Sequence, residues 1–507
     1  MTNRLRQLRD DEGGFAIVLA VALTMMIAII SVALTMLVQG EDSKTRRDQT
    51  QDGAYQAAEA GTNAYLSDLT ESNAFYTAYM AKGEATRTVS GTAHANNCST
   101  VDASGKSTCS DLAWSSGSTW TYSTASTSDT GWFSMGNGYQ YLIQVYPPNQ
   151  SLTGLAEVIT RIDVIGRPNG SVNLTQWRTI ETMIRPSSLS DFQAFLATSI
   201  TYGSTAVTTG PIFVGQDSSG VAGNLTHQGT ADANLYAQGT VTVGGSTLQD
   251  GAKKFDSTTT PTALCKLNNC TAVPFTNFSS TVTTVAGAAG SGGISLAATD
   301  PTNSGLSGQT PAYSVNIWKL VFQSNGTVLV SSCKYGVTGS DNYASAPTCG
   351  TATTKTVPTN GAIYSAVDVL ISGVVKGKVT VATAGNAVYG GNTTYNTNGT
   401  DVLGVEANGS IVVPSWARDA SHNLTVYSAQ FALNGPFEAD QLYTSGAAGT
   451  LNFYGSSAVY GGSSGAIIFS NLFATRNYNY DNNLLFVQPP YFPTLGNAFT
   501  ILLQRQL

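Results

Sequence analysis

Residues Phe15 to Val38 read FAIVLAVALTMMIAIISVALTMLV, 24 residues without a single charged side chain. At about 1.5 Å per residue, a helix of this length reaches roughly 36 Å, against about 30 Å for the hydrocarbon core of a bilayer. The stretch therefore predicts a membrane-crossing helix. A secretory signal peptide has a shorter apolar core, about 7–15 residues, with a small-residue cleavage site behind it. Here no A-x-A-like site follows Val38, and the small residues Gly13 and Gly14 stand in front of the core. A cut at that point would leave the apolar helix on the mature chain.

Downstream, the same helix is expected to run on to about Leu69. Ala54, Ala58, Gly61, Tyr65 and Leu69 are spaced to share one helical face. Glu41 to Asp52 is charged all round and reads as exposed, and Gly40 and Gly53 are weak points. The plan is a greasy half followed by an amphipathic half. A plain anchor with a juxtamembrane helix explains the span equally well.

Two motifs separate these readings. Gly13-Gly14-Phe15-Ala16 before an aliphatic run resembles a type IV prepilin processing site, and Gln56-Ala57-Ala58-Glu59-Ala60-Gly61 resembles the signature of PilX-type pilus-assembly proteins. The resemblance implies cleavage after Gly14 by a prepilin peptidase, with Phe15 as the mature N-terminus. It also implies other pilin subunits as partners of the helix. One position departs from the ordinary pilin pattern: the fifth mature residue is Leu19 rather than Glu.

The remainder is too long for one small head. At 507 residues the chain predicts two or more domains. Charged residues make up 11%, against about 25% in an ordinary domain, and small and polar residues fill the gap, favouring short strands and many turns. A net charge of −7 argues against nucleic acid as a partner. The six cysteines fall into local pairs, Cys98 with Cys109, Cys265 with Cys270 and Cys333 with Cys349. Even count and close spacing favour disulfides in an oxidising space; zinc would need tighter ligand clusters. Arg4, Arg6 and Arg9 before the span balance Lys44, Arg46 and Arg47 after it, so charge alone sets no orientation. The prepilin resemblance and the paired cysteines place the C-terminal part outside.

In order, residues 1–14 read as a leader, 15–38 as the transmembrane half of the helix, and 39–187 as the amphipathic helix and a pilin-like head. The head contains a Ser/Thr-rich loop at 82–135 and strands at Tyr139–Tyr146, Glu157–Gly166 and Asn173–Arg185, forming a small antiparallel sheet. From about 188 to 507, short apolar strands recur between Gly, Asn and Thr turns. The fold expected is α+β and mostly β, with this second part a right-handed parallel β-helix-like domain carrying an insertion at about 255–360. Within that insertion Phe278–Ala289 reads as a helix, and Val315–Phe322 with Thr327–Ser331 as a hairpin. Val369–Val381, Asp401–Pro414 and Tyr478–Pro490 resemble segments of C-terminal domains fused to PilX-type N-termini.

Catalytic signals are weak. Gly461-Gly-Ser463-Ser-Gly465 fits the nucleophile-elbow pattern, but no histidine follows it. His94, His227 and His422 read as surface residues in polar turns. Asp368, Glu406 and Glu438 are the carboxylates a glycan-cleaving site would draw on, which needs two of them about 5–9.5 Å apart. Asn396 to Asp401 offers oxygen ligands for calcium but lacks several carboxylates, and an Asn-Gly turn is the plainer reading. The expectation is a non-enzymatic, minor pilin-like subunit without cofactor or metal. It would be held in the inner membrane before assembly and then displayed on an extracellular pilus, where its β-rich domain meets a surface ligand or starts assembly. The alternatives are an anchored β-helical carbohydrate-active enzyme and a passive anchored envelope protein.

Overall fold

The computed structural model describes residues 2–71, 86–89, 92–95, 100–101, 107–108, 132–146, 159–217, 219–231, 235–243, 246–247, 278, 281–299, 317–334, 343, 345–440, 446–461 and 467–507. It divides into two compact units, 1–185 with 499–507, and 186–498.

In the first unit the N-terminal helix spans Thr2–Glu71 without a break. Strands Phe133–Ser134, Tyr139–Tyr146, Thr160–Pro168 and Arg178–Ser188 form an antiparallel sheet. Strand residues alternate between its faces. Ile143, Ile162, Val164, Ile180 and Ile184 form one core with Ala58 and Tyr65 of the helix. A further strand, Thr494–Gln506, adds to this sheet beside Arg178–Ser188. Phe499 packs on the same core, and Arg505 donates to Glu181 at 2.8 Å. The chain thus ends in the unit where it began.

Among its described residues the second unit is built mainly of short strands, 21 of them in one sheet. One parallel series runs through Asp368–Val375, Ala387–Tyr395, Ile411–Val413 and Phe437–Ala439. Another runs through Ala362–Ser365, Lys378–Thr383, Val402–Ala407, Leu424–Ala432 and Thr450–Val459. Turn side chains link neighbouring strands. Asp368 accepts from the Asn386 amide and Asn386 from the Ser410 amide, both at 2.8 Å, while Asn392 accepts from Thr425 and Asn423 from Thr450. Asn386, Asn392 and Asn423 therefore cap the backbone of the next strand rather than only permitting turns.

The expected right-handed parallel β-helix-like domain is corrected by this topology. That expectation assumed one winding in which each turn of chain stacks on the turn before it. Instead, Ala194–Leu196 pairs with Ser457–Val459, and Ala206–Thr208 pairs with Arg476–Tyr478. The first strands of the unit stack on its last. Ile317–Gln323 and Thr327–Lys334 form an antiparallel hairpin inside the same sheet, and Ile200–Tyr202, Leu225–His227, Val241–Val243 and Ser246–Thr247 form a separate sheet. Short β-branched strands between polar turns carry no mark of which strand they will pair with, so their local pattern does not encode this order. Within 255–360, Ile294–Leu296 pairs with Ala362–Ser365, and Ile317–Gln323 with Asp368–Val375. A helix, Thr281–Gly290, packs Val282, Val285 and Ala289 against Ala362 and Ala382.

Candidate functional site

The N-terminal helix has two surroundings. Every described residue from Val21 to Val32 is exposed. Leu23, Met25, Met26, Ile27 and Ile29 are among them, and the large apolar residues here are 51–70% exposed. From Ala54 onward the helix lies on the sheet, with Ala54, Ala57 and Ala58 at 0% and Tyr65 at 1%. Small residues make that approach possible. A Cβ on Gly166 would stand 1.8 Å from the Ala54 carbonyl oxygen, and one on Gly61 would meet the Tyr141 ring and Val164 at 2.6–2.8 Å. A Cβ on Gly53 would enter the Tyr139 ring, whose hydroxyl donates to the Gln49 carbonyl at 3.4 Å. Gly53, a weak point by propensity, is thus a seat for an aromatic ring. Ala57, Ala58 and Gly61 of the QAAEAG stretch face the sheet, whereas Gln56 and Glu59 are exposed.

Gly14 and Phe15 lie within the helix, and their side chains are outside the described residues. Cys333 and Cys349 are joined by a disulfide that closes 16 residues of sequence. Cys98, Cys109, Cys265 and Cys270 fall outside the described residues, as does Ser463. Among the described residues, no helix is long and apolar enough to cross a membrane.

Asp368 and Glu438 are not brought together, and Glu406 is buried in the other series of strands. Asp368 is engaged by the Asn386 amide and by the Tyr343 hydroxyl at 2.7 Å. Glu438 belongs to the same series of strands, three strand steps away; at about 4.8 Å per step this is roughly 14 Å of sheet. Glu406 lies in the other series, in register with Ala382 and Phe431. It is fully buried, and among the described residues neither carboxyl oxygen has a hydrogen-bond partner. Burial pushes its pKa up to about 8, and nearby Thr281 lowers it only in part. The Thr281 hydroxyl already donates to the Phe278 carbonyl at 3.0 Å. Glu406 is therefore mainly protonated at neutral pH.

Asp401 accepts from the Gly377 and Thr397 amides, both at 2.7 Å, so its carboxylate braces a turn. His227 is not the surface residue expected. It is fully buried, stacked on Tyr202, with Nε2 3.0 Å from the Thr208 hydroxyl. Its place two residues after Leu225, on the same face of the short strand Leu225–His227, was the available signal. His422 is exposed and adopts φ 63°, in a tight turn braced by Asp419.

No protein-family profile matches the chain, and no curated protein matches it. Among solved structures, it is similar to the competence-associated pilin ComZ from Thermus thermophilus. The match covers 90% of this chain and 97% of that one, at 12% identity and a TM-score of 0.28. A superposition this loose establishes neither a shared fold nor a shared function.

Proposed function

We propose that this chain is a non-enzymatic, minor pilin-like subunit of the PilX type. Its N-terminal helix would hold it in the inner membrane and, after cleavage between Gly14 and Phe15 by a prepilin peptidase, insert among the helices of other pilin subunits. The second unit would be displayed outside the cell, for assembly or surface contact. One observation carries this reading: a single 70-residue helix is anchored to a sheet by its second half, while Val21–Val32 offers an apolar surface on every side. Twelve consecutive exposed residues of this composition are costly in water and suit lipid or a bundle of like helices.

Leu19 refines the reading. A Glu there could pair with the N-terminal amine of a neighbouring subunit inside a nearly dry bundle, and unpaired it would be expensive. Leu removes both the pairing and the cost, which suits a subunit at the filament end. Mass spectrometry of the native N-terminus is the direct test. The expected result is a chain starting at Phe15, with the leader retained in Gly14→Val. A Gly14→Val protein that still begins at Phe15 would overturn the processing step. Immunogold labelling is expected at filament ends; uniform labelling of the shaft would remove the end position.

A further inference from the structure

A cavity of about 360 Å³ opens in the second unit between the strand Ile200–Tyr202 and the segment from Ile467 to Tyr478. That volume lies within the range of small-molecule sites, about 300–1,000 Å³. Its lining combines three chemistries. Tyr202 and Tyr478 contribute aromatic rings in edge-to-face contact, 5.6 Å between centroids. Ile468 and Phe469 contribute aliphatic and aromatic surface, and Ser470 a hydroxyl at the exposed rim.

The third is a cation. Arg476 lines the cavity yet is only 9% exposed. Its Nη1 donates to the Phe473 carbonyl at 2.8 Å and its Nη2 to the Thr205 hydroxyl at 2.9 Å. Both partners are neutral. Among the described residues no carboxylate lies within ion-pair distance of it. Glu438 pairs in register with Ile468 but does not line the cavity. A guanidinium carries five N–H donors in a rigid fork, so this one is fixed by two hydrogen bonds and keeps others to offer. A cation this buried, held by neutral groups beside a cavity, has no counter-charge among the described residues.

We propose that this cavity binds a small carboxylated polyol of the uronic-acid class. The carboxylate would take the free edge of the Arg476 fork, the commonest use of that geometry. The C–H face of the ring would lie on the apolar surface of Ile468 and Phe469, and its hydroxyls would meet Ser470 and the tyrosine phenols. The site belongs to the second unit alone and does not depend on the filament reading.

The test is calorimetric titration of the detergent-solubilised full chain with glucuronate, glucose and inorganic phosphate. Glucuronate is expected to bind, with glucose at least tenfold weaker because it leaves Arg476 uncompensated. Arg476→Gln should lose at least tenfold in glucuronate affinity. Arg476 also braces its own segment, so Ser470→Trp, a rim residue that would fill the cavity, provides the second arm: binding lost and melting temperature unchanged. No heat with glucuronate in the millimolar range overturns the proposal. So does equal binding of glucose, which would mean that the charge is not read. Phosphate binding as tightly as glucuronate overturns the sugar assignment, and full glucuronate binding by Ser470→Trp overturns the location.

Discussion

The N-terminal helix keeps one hydrogen-bonding pattern from Thr2 to Glu71, yet its two halves obey opposite burial rules. Between Val21 and Val32, side chains as large as Met25 and Ile29 stand in the open. Between Ala54 and Tyr65, residues as small as alanine are completely covered. The difference does not lie in propensity, since Ala, Leu and Met are all good helix formers. It lies in what faces them. The second half meets a sheet carrying Gly166 where its backbone passes closest, so the contact is made by main chain and small groups. Among the described residues, Val21 to Val32 is covered by nothing in its own chain. The exposed apolar stretch is the feature on which the proposed membrane and filament contacts rest.

Glu406 supplies the reverse mismatch, a polar group covered without a hydrogen-bond partner among the described residues, and its relief is the largest effect expected. Its pKa is raised from 4.5 to about 8, so the folded state holds a proton that the unfolded chain releases. The associated stability is complete below pH 4.5 and is lost as pH rises through about 8. Glu406→Gln, nearly the same shape and uncharged, should stabilise the second unit at pH 9 by a few kcal/mol, less than about 5 by the linkage relation. At pH 4 the two proteins should unfold at nearly the same urea concentration. Parallel stability curves for wild type and variant from pH 4 to pH 9 would show that the carboxyl is compensated after all.

Next in size is the buried half of the helix. Gly166→Val places a branched side chain against the Ala54 carbonyl and the Ala58 amide, which are backbone and cannot swing away. A loss of about 3 kcal/mol or more is expected in the first unit. Thermal unfolding followed by circular dichroism reads it, and a melting point within a degree of wild type would refute the close contact. The exposed half should respond in the opposite manner. Ile29→Asp puts a charge at the middle of the apolar stretch, at about 2.5–3.5 kcal/mol for insertion into lipid. Membrane retention and filament incorporation should fall while the melting point of the first unit stays put. Normal retention would mean that lipid is not what the segment requires.

These effects follow how far each region could be read from sequence. The stripe Ala54, Ala58, Gly61, Tyr65 is legible because helical spacing alone decides which residues share a face. Tyr139–Tyr146 is legible because six of its eight residues are aromatic or aliphatic, three of them tyrosines, a composition that favours strand. The hairpin at Thr327 is announced by Asn325-Gly326, whose side-chain oxygen accepts from the Thr327 amide. What a strand pairs with is another matter. Nothing in Ala-Phe-Leu at 194–196 points to Ser457–Val459, and nothing in the last thirteen residues of strand, Thr494–Gln506, marks their return to the first sheet. The candidate cavity stayed hidden for the same reason. Tyr202 and Arg476 stand far apart in sequence and meet only because Ala206–Thr208 pairs with Arg476–Tyr478.

The smallest effect gives the finest test of the helix–sheet contact, because two terms of opposite sign compete in it. Gly61→Ala should gain about 1 kcal/mol from helix propensity, as glycine is the costlier residue in a helix interior. The new methyl group, however, would stand 2.6 Å from Cδ2 of Tyr141 and 2.7 Å from Cγ1 of Val164. Both atoms belong to side chains, unlike the backbone that confronts Gly166. Tyr141 is only half-buried and stacks on Phe133 at 5.3 Å, so it has room to tilt, whereas Val164 is fully buried. The overpacking cost should therefore fall at about 2 kcal/mol, within the ordinary range for core insertions. The net expectation is a loss of about 1 kcal/mol, clearly smaller than for Gly166→Val. Combining Gly61→Ala with Tyr141→Leu, which frees the ring's space, should recover most of that loss relative to Tyr141→Leu alone. A stabilising Gly61→Ala in the wild-type background would mean that the helix stands further from the sheet than the close contacts at Gly61 and Gly166 require.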